Sequence, residues 1–166
     1  LSRSHQLRKE LLLVVVYHLG DKKMTKDKNN GNVKHRMSKR VFICYETKTG
    51  LDYAKHLKEA LEKPDRSAFV ADEDIKKGEA WREVIDEAIK ACKYFIVIVT
   101  FRALDSKEVE REIKLADSLL SLKGNIIPCK EKSVYRSWLS KLPIISELQQ
   151  IDFEGKEELA RNVISE

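Results

Sequence analysis

The hydrophobic pattern is blank at one end and regular at the other. Leu11 to Tyr17 is a short apolar run, and residues 20–39 show no apolar period at all. From Arg40 onward, short apolar runs alternate with segments whose apolar residues recur every three or four positions. The densest example is Lys93 to Leu120. It opens with KYFIVIVTF, an unbroken run rich in β-branched residues, which is the mark of a strand buried on both faces. A turn over Arg102–Asp105 follows. Then Val109, Ile113, Ala116 and Leu120 fall at helical spacing and define one buried stripe. Asp105 or Ser106 can cap that helix, because either side chain accepts from a free N–H of the first turn.

The same rhythm extends in both directions. RVFICY (40–45) reads as a strand, ETKTG as a loop, and Leu51–Lys63 as a helix with Ala54, Leu57 and Leu61 on one face. SAFVA (67–71) reads as a second strand and residues 72–78 as a charged, mobile loop ending in Gly78. The segment Glu79–Cys92 carries Trp81, Val84, Ile85, Ala88, Ile89 and Cys92 at i, i+3, i+4 spacing. NIIPC (125–129) is a fourth strand closed by Pro128, and a short helix spans Tyr135–Leu142. LQQIDF (148–153) is a fifth strand, and Glu154–Ile164 the last helix. Strands alternating with helices give a parallel sheet covered on both faces. Five strands in this rhythm predict the flavodoxin-like order 2-1-3-4-5, whose ligands gather at the carboxyl ends of the strands.

At 166 residues the chain has room for one such domain. The expected division is an apolar N-terminal helix over 1–19, a basic linker over 20–39 and the α/β domain over 40–166. Leu1 in first place is what a processed form or a fragment would show. The 1–19 helix is then the end of an upstream region, or packs on this domain or a second copy. Its apolar run is shorter than the ~20 residues a membrane span needs.

Charge changes the picture once it is divided. The net charge is +5, but residues 1–19 carry +2, 20–39 carry +5 and 40–166 carry −2. The folded part has no basic excess, which argues against nucleic acid as its partner. The cysteines Cys44, Cys92 and Cys129 form no CxxC pair and read as buried thiols of a reducing cytoplasm. The four histidines lack metal-site spacing, so no metal is expected.

Candidate chemistry is mostly absent by motif. ETKTG has one glycine and is no phosphate loop. Tyr45-Glu46 and Thr100 stand where a receiver domain needs acidic residues. No serine sits in a nucleophile elbow. What remains is Glu112, two turns into its helix at the margin of the apolar stripe, where a carboxylate can face a crevice while the helix stays anchored. Read as composition alone, Glu108, Glu110 and Glu112 are solvated helix carboxylates paired with Lys107, Arg111 or Lys114. Trp81 is a core residue of its helix, and Asp72, Glu73 and Asp74 are a solvated loop.

Four stretches, in order and in register, resemble a TIR domain of the bacterial and archaeal kind. VFICY is similar to the family's box 1, usually VFISY. DIKKGEAW resembles the loop after the second strand. SKEVEREI resembles a serine, tryptophan and glutamate pattern at a helix start, and NIIP follows it. Cys44 replaces the usual serine, Ala71 a common aspartate, Lys77 the usual proline, and Glu108 the usual tryptophan. Glu108 thus removes a stacking surface and puts a second carboxylate one turn before Glu112, which raises the proton affinity of either group.

The resemblance implies an NAD+ nucleosidase of the cytoplasm, active on self-association with other TIR domains in signalling or immune defence. NAD+ would be a substrate, with no separate cofactor. Glu112 would be the catalytic carboxylate. Cys44, Tyr45, Glu46, Asp74, Trp81 and Glu108 would bind the substrate. Products would be nicotinamide and ADP-ribose or a cyclic ADP-ribose. The competing implication is a non-catalytic adaptor acting by TIR–TIR docking. A third class, nucleoside deoxyribosyl transfer with a catalytic glutamate, lacks the box-like loop.

Overall fold

A computed structural model describes residues 39–62 and 67–164, without the side chain of Leu120. The helix expected over 1–19 and the linker over 20–39, save Lys39, lie outside the described residues. The order is β1 Val41–Cys44, α1 Thr47–Leu61, β2 Ala68–Phe69, α2 Ala71–Asp74 and α3 Trp81–Ala91. It continues with β3 Tyr94–Val99, α4 Lys107–Ser118, β4 Ile126–Glu131, α5 Pro143–Glu147, β5 Ile151–Phe153 and α6 Lys156–Ile164. Short 3-10 turns cover Arg102–Asp105, Leu120–Leu122 and Arg136–Lys141.

The strands form one parallel sheet in the order β2-β1-β3-β4-β5, the expected 2-1-3-4-5. Successive side chains of a strand point to opposite faces, and this splits the core in two. Phe42, Cys44, Phe95, Val97 and Val99 meet Ile85 and Ile89 of α3 and Val109, Ile113 and Ala116 of α4. Val41, Ile43, Tyr94, Ile96 and Ile98 meet Ala54, Leu57 and Leu61 of α1 and Leu159 and Val163 of α6. All six residues of β3 are buried, as an unbroken apolar run requires. Phe42 stacks between Phe69 and Phe95, at 5.3 and 5.5 Å.

The structure corrects several boundaries. ETKTG is not a loop: α1 starts at Thr47, because Glu46 accepts from the N–H groups of Lys48 and Thr49 and caps it. Gly50 therefore lies inside a helix, where a Cβ would stand 2.8 Å from Tyr45 Cβ. The 72–78 loop is helical in its first half, and only Ile75–Ala80 lies between α2 and α3. Gly78 there adopts φ +90, a region glycine enters without strain. Helix α4 stops at Ser118, short of Leu120. Pro128 does not close β4. Phe95 N donates to Asn125 O, so even-numbered residues of β4 turn their nitrogens away from β3. The missing N–H of Pro128 thus faces the β5 side, where pairing begins only at Cys129.

Candidate functional site

The sequence pattern places Glu112 at the margin of the α4 stripe. In the structure it lies three residues after Val109 and four before Ala116, both on that stripe, and it is buried with them at 7% exposure. Ser106 caps the helix through Val109 N at 3.3 Å and fixes where its first turn starts. The carboxylate therefore sits beneath the carboxyl end of β1, in a largely apolar setting. Burial pushes its pKa up to about 7. The nearby Cys44 thiol and the Arg111 charge both lower the value. Glu108 and Asp86 raise it again.

Above Glu112 opens a cleft of about 430 Å³, part of it open solvent. Phe42, Ile43, Ala71 and Ile85 supply its apolar wall. Tyr45, Thr47, Asp72, Trp81 and Glu108 form the polar and aromatic remainder, and among the described residues no Lys or Arg lines it. The Tyr45 hydroxyl donates to Asp72 Oδ2 at 2.6 Å and accepts from Asp72 N at 3.2 Å, so the end of β1 is tied to α2. Burial and the Asp72 carboxylate raise the Tyr45 pKa well above the ordinary phenol range. Trp81 is 44% exposed at the rim, an unusual setting for an indole unless it has a contact to make.

Glu108, at the same rim, is gripped from two sides. Arg82 Nη2 donates to it at 2.5 Å and Arg111 Nε at 3.1 Å. Those arginines hold its pKa below the usual carboxylate range, which corrects the expectation that crowding by Glu112 would raise it. Arg111 also donates to Asp86 at 2.5 Å, and its Nη2 is buried without a hydrogen-bond partner among the described residues.

The structure therefore brings Tyr45, Trp81, Glu108 and Glu112 to one cleft. Cys44 lies behind Glu112, 1% exposed and away from the cleft wall. Glu46 is occupied as the α1 cap, and its hydrogen bonds to Lys48, Thr49 and the Thr49 hydroxyl lower its pKa. Asp74 accepts from Lys58 Nζ and Val70 N, both at 2.8 Å, and pins α2 to α1. The cleft's acidic residue from that segment is Asp72 instead. By sequence Asp72 belongs to a charged loop. Its role depends on the helical turn at Ala71, which three adjacent acids do not announce. Thr47 escapes sequence reasoning for the same reason as the α1 cap. Among the described residues no group of three or more His, Cys, Asp or Glu could hold a metal ion. None of the described helices is long and apolar enough to cross a membrane.

A family model described as TIR domain matches residues 41–164. No curated protein matches the chain. Among solved structures, a metazoan TIR-STING receptor from C. gigas, in complex with 2',3'-cGAMP, superposes with a TM-score of 0.62 at 20% identity. That match covers 79% of this chain but 41% of the receptor chain, so the likeness spans less than half of that protein. The TIR domains of the activated Roq1 resistosome, which recognises the pathogen effector XopQ, give 0.61 at 14% identity, over 75% of this chain and 96% of theirs. The TIR domain of the Toll-related receptor TRR-2 from Hydra magnipapillata gives 0.51 at 21%, over 72% and 87%. At these identities the likeness is one of fold.

Proposed function

The chain belongs to the TIR-domain family, matched over residues 41–164, and on that premise we propose that it cleaves the nicotinamide–ribose bond of NAD+. The products would be nicotinamide and ADP-ribose or a cyclic ADP-ribose. One observation carries this reading: a single carboxylate, Glu112, buried at the base of a cleft that no cation among the described residues lines.

Breaking an N-ribosyl bond builds positive charge on the ribose, as glycoside hydrolysis does. Nicotinamide leaves a cationic pyridinium as a neutral base, so no acid is needed to protonate it. One carboxylate beneath the ribose is then sufficient as the stabilising group, and its effect is strongest where water is excluded. Glu112 meets those conditions. Its neighbour Arg111 is engaged by Asp86 and Glu108, which leaves the Glu112 charge incompletely compensated. A cationic substrate supplies the missing compensation and favours the ionised form. Substrate binding should therefore release a proton near neutral pH. Trp81 at the rim offers a face for a base, and Tyr45 and Asp72 offer polar contacts to a ribose. Self-association with other TIR domains would switch the activity on, in a signalling or immune-defence setting in the cytoplasm.

Glu108 favours a second reading. Where the family usually presents tryptophan, this chain presents a carboxylate held by Arg82 and Arg111. Such a rim suits a scaffold that only docks on other TIR domains. Incubating concentrated protein with NAD+ and separating the products distinguishes the two. Release of nicotinamide supports the enzyme. Intact NAD+ at every protein concentration and pH leaves the scaffold.

A further inference from the structure

Large aromatic side chains gain most from burial, so a group of them left in water calls for a reason. Phe101, Tyr135 and Trp138 form such a group, at 58%, 65% and 38% exposure. Phe101 meets Trp138 edge to face at 5.6 Å, and Trp138 meets Tyr135 at 4.7 Å, so the three rings are contiguous. Phe101 follows β3, while Tyr135 and Trp138 follow β4. The two strands are parallel, which puts both turns at the carboxyl edge of the sheet. Ala103, Leu104, Val134 and Leu139 of the same turns are buried in the core, so the backbone is anchored while the rings stand out. Charge around the rings is one-sided. Residues 101–105 and 131–142 hold two acids, and both are engaged. Asp105 accepts from Lys141 at 2.7 and 3.0 Å, and Glu131 accepts from Tyr53 and Ser133. Lys132 is drawn to Glu154 and Glu158. Arg102 and Arg136, each next in sequence to a ring of the patch, are exposed and have no hydrogen bond or ion pair among the described residues. Arg102 acts on Glu46 only at a distance.

We propose that this patch docks the protein on a lipid bilayer with anionic headgroups: the three rings enter the headgroup layer, and Arg102 and Arg136 meet the lipid charges. The inference is independent of NAD+ cleavage. Tyrosine and tryptophan suit that depth, because each has an apolar body and one polar group that stays wet. A guanidinium stays charged at any working pH and binds phosphate and carboxylate oxygens two at a time. The sequence outside the described residues favours the same partner. Residues 1–19 and 20–39 carry +2 and +5, and the apolar run Leu11–Tyr17 lies among them. A single weak insertion holds a protein on a membrane only briefly, whereas an insertion joined to a basic stretch holds it stably. A second copy of this chain suits the patch less well. Two-fold pairing through it would bring arginines of one copy against those of the other, with no unengaged acid in either turn to separate them.

The test is tryptophan fluorescence of the full chain on vesicles of phosphatidylcholine, with and without phosphatidylserine. The chain has two tryptophans, Trp81 and Trp138. Trp81→Phe therefore reports Trp138 alone, and Trp138→Phe reports Trp81. On the anionic vesicles Trp138 emission should shift to the blue and be quenched by brominated acyl chains, while Trp81 emission should do neither. Vesicles of phosphatidylcholine alone should leave both unchanged, and added salt should weaken the response. Cosedimentation gives the affinity. Arg102→Glu with Arg136→Glu should lower it by about tenfold or more, and Phe101→Ala should lower it by several-fold. If the double variant fails to fold, Arg136→Glu alone carries that arm, since its side chain has no partner to lose among the described residues. Absence of binding to anionic vesicles overturns the inference, and so does equal binding to neutral ones. Bound protein whose Trp138 remains in water also overturns it, and assigns the contact to residues 1–38 instead. A blue shift of Trp138 that grows with protein concentration and ignores vesicles gives the patch to a second copy, and likewise overturns it.

Discussion

Two charged side chains are buried to the same extent, 7% exposed, and the protein treats them in opposite ways. Lys130 on β4 is surrounded by oxygen. Its Nζ donates to Val134 O at 3.0 Å and Glu131 O at 3.4 Å, and it pairs with Asp152 at 3.2 Å. Glu112 on α4 has no such cage: the Cys44 thiol and Arg111 pull its pKa down, and two other carboxylates push it up. The first arrangement satisfies its charge and locks the chain after β4. The second leaves a charge expensive to keep. A buried group that a fold satisfies is structure. One that it leaves wanting is a candidate for chemistry, because a ligand can complete it.

The largest effect should come from reversing that asymmetry in activity. Glu112→Gln preserves shape and should reduce NAD+ cleavage by roughly a hundredfold to a thousandfold, the usual effect of losing one designed electrostatic stabiliser. Lys130→Met, equally buried, should leave turnover per folded molecule unchanged. Nicotinamide release under saturating NAD+ measures both, and equal losses would erase the distinction.

Stability should respond with opposite signs. The Glu112 pKa stands at about 7 in the fold against an ordinary 4.5. Below 4.5 the group is protonated folded or unfolded, and it has no pH-linked effect. Between 4.5 and 7 the folded state holds the extra proton, so stability falls as pH rises. Above 7 the deficit is full, about 3 kcal/mol at 1.36 kcal/mol per unit. Glu112→Gln should thus melt several degrees higher than the parent at about pH 8, with the gain fading as the pH falls toward the ordinary carboxylate range. Lys130→Met should melt lower at both, since it strips a donor from buried carbonyls at ~1–3 kcal/mol. Thermal melts at the two pH values test this, and a Glu112→Gln that melts lower at high pH would contradict the burial cost. Burial thus replaces the solvated, stability-neutral Glu112 that composition alone suggests.

A smaller effect is expected at the rim. Glu108→Ala removes a repelling carboxylate and frees Arg82 and Arg111, so Arg111 should act more strongly on Glu112. Its titration midpoint should drop by a fraction of a unit, and cleavage at slightly acidic pH should rise modestly. Glu108→Trp should raise it further by restoring a stacking face. A loss of cleavage in both would mean that the Arg82–Glu108–Arg111 cluster supports the site.

The smallest expected effect is local motion. Tyr45 holds Asp72, and Lys58 holds Asp74 at 2.8 Å and Glu73 at 3.1 Å. Amide exchange at Asp74 and Ile75, which donate to Val70 O and Ala71 O, should therefore be slower than at Lys77 and Gly78. Uniformly fast exchange from Asp72 to Gly78 would restore the single mobile loop that the charge pattern suggests.

The sheet is legible because its signals are local and periodic. YFIVIV has the composition of a central parallel strand, and the α3 stripe repeats at helical spacing through two turns. Elements defined by a single hydrogen bond are not. The α1 start depends on the Glu46 cap, hidden among polar residues and a glycine. Helix α5 opens with Pro143 at its first position, a start signal that the sequence carries but that a five-residue helix gives no period to support. In the site, Glu112 can be singled out, but its burial cannot. Periodicity gives the face of a helix, not whether the end of a neighbouring strand closes over it. Asp72 and Asp74 exchange their expected roles because two residues of helical turn decide which carboxylate meets the cleft.

Gly50 shows how the back of the cleft constrains its front. Alanine favours a helix over glycine by about 1 kcal/mol, and so would ordinarily be an improvement inside α1. Here the added methyl would meet Tyr45 Cβ at 2.8 Å, and that atom lies next to the backbone, where little can swing aside. Tyr45 carries the hydroxyl that anchors Asp72. One methyl on a helix interior, outside the cleft, would therefore press on the cleft wall from behind. Screening this chain for helix-stabilising substitutions would select against such a change through the shape of the cleft, at a residue that does not line it.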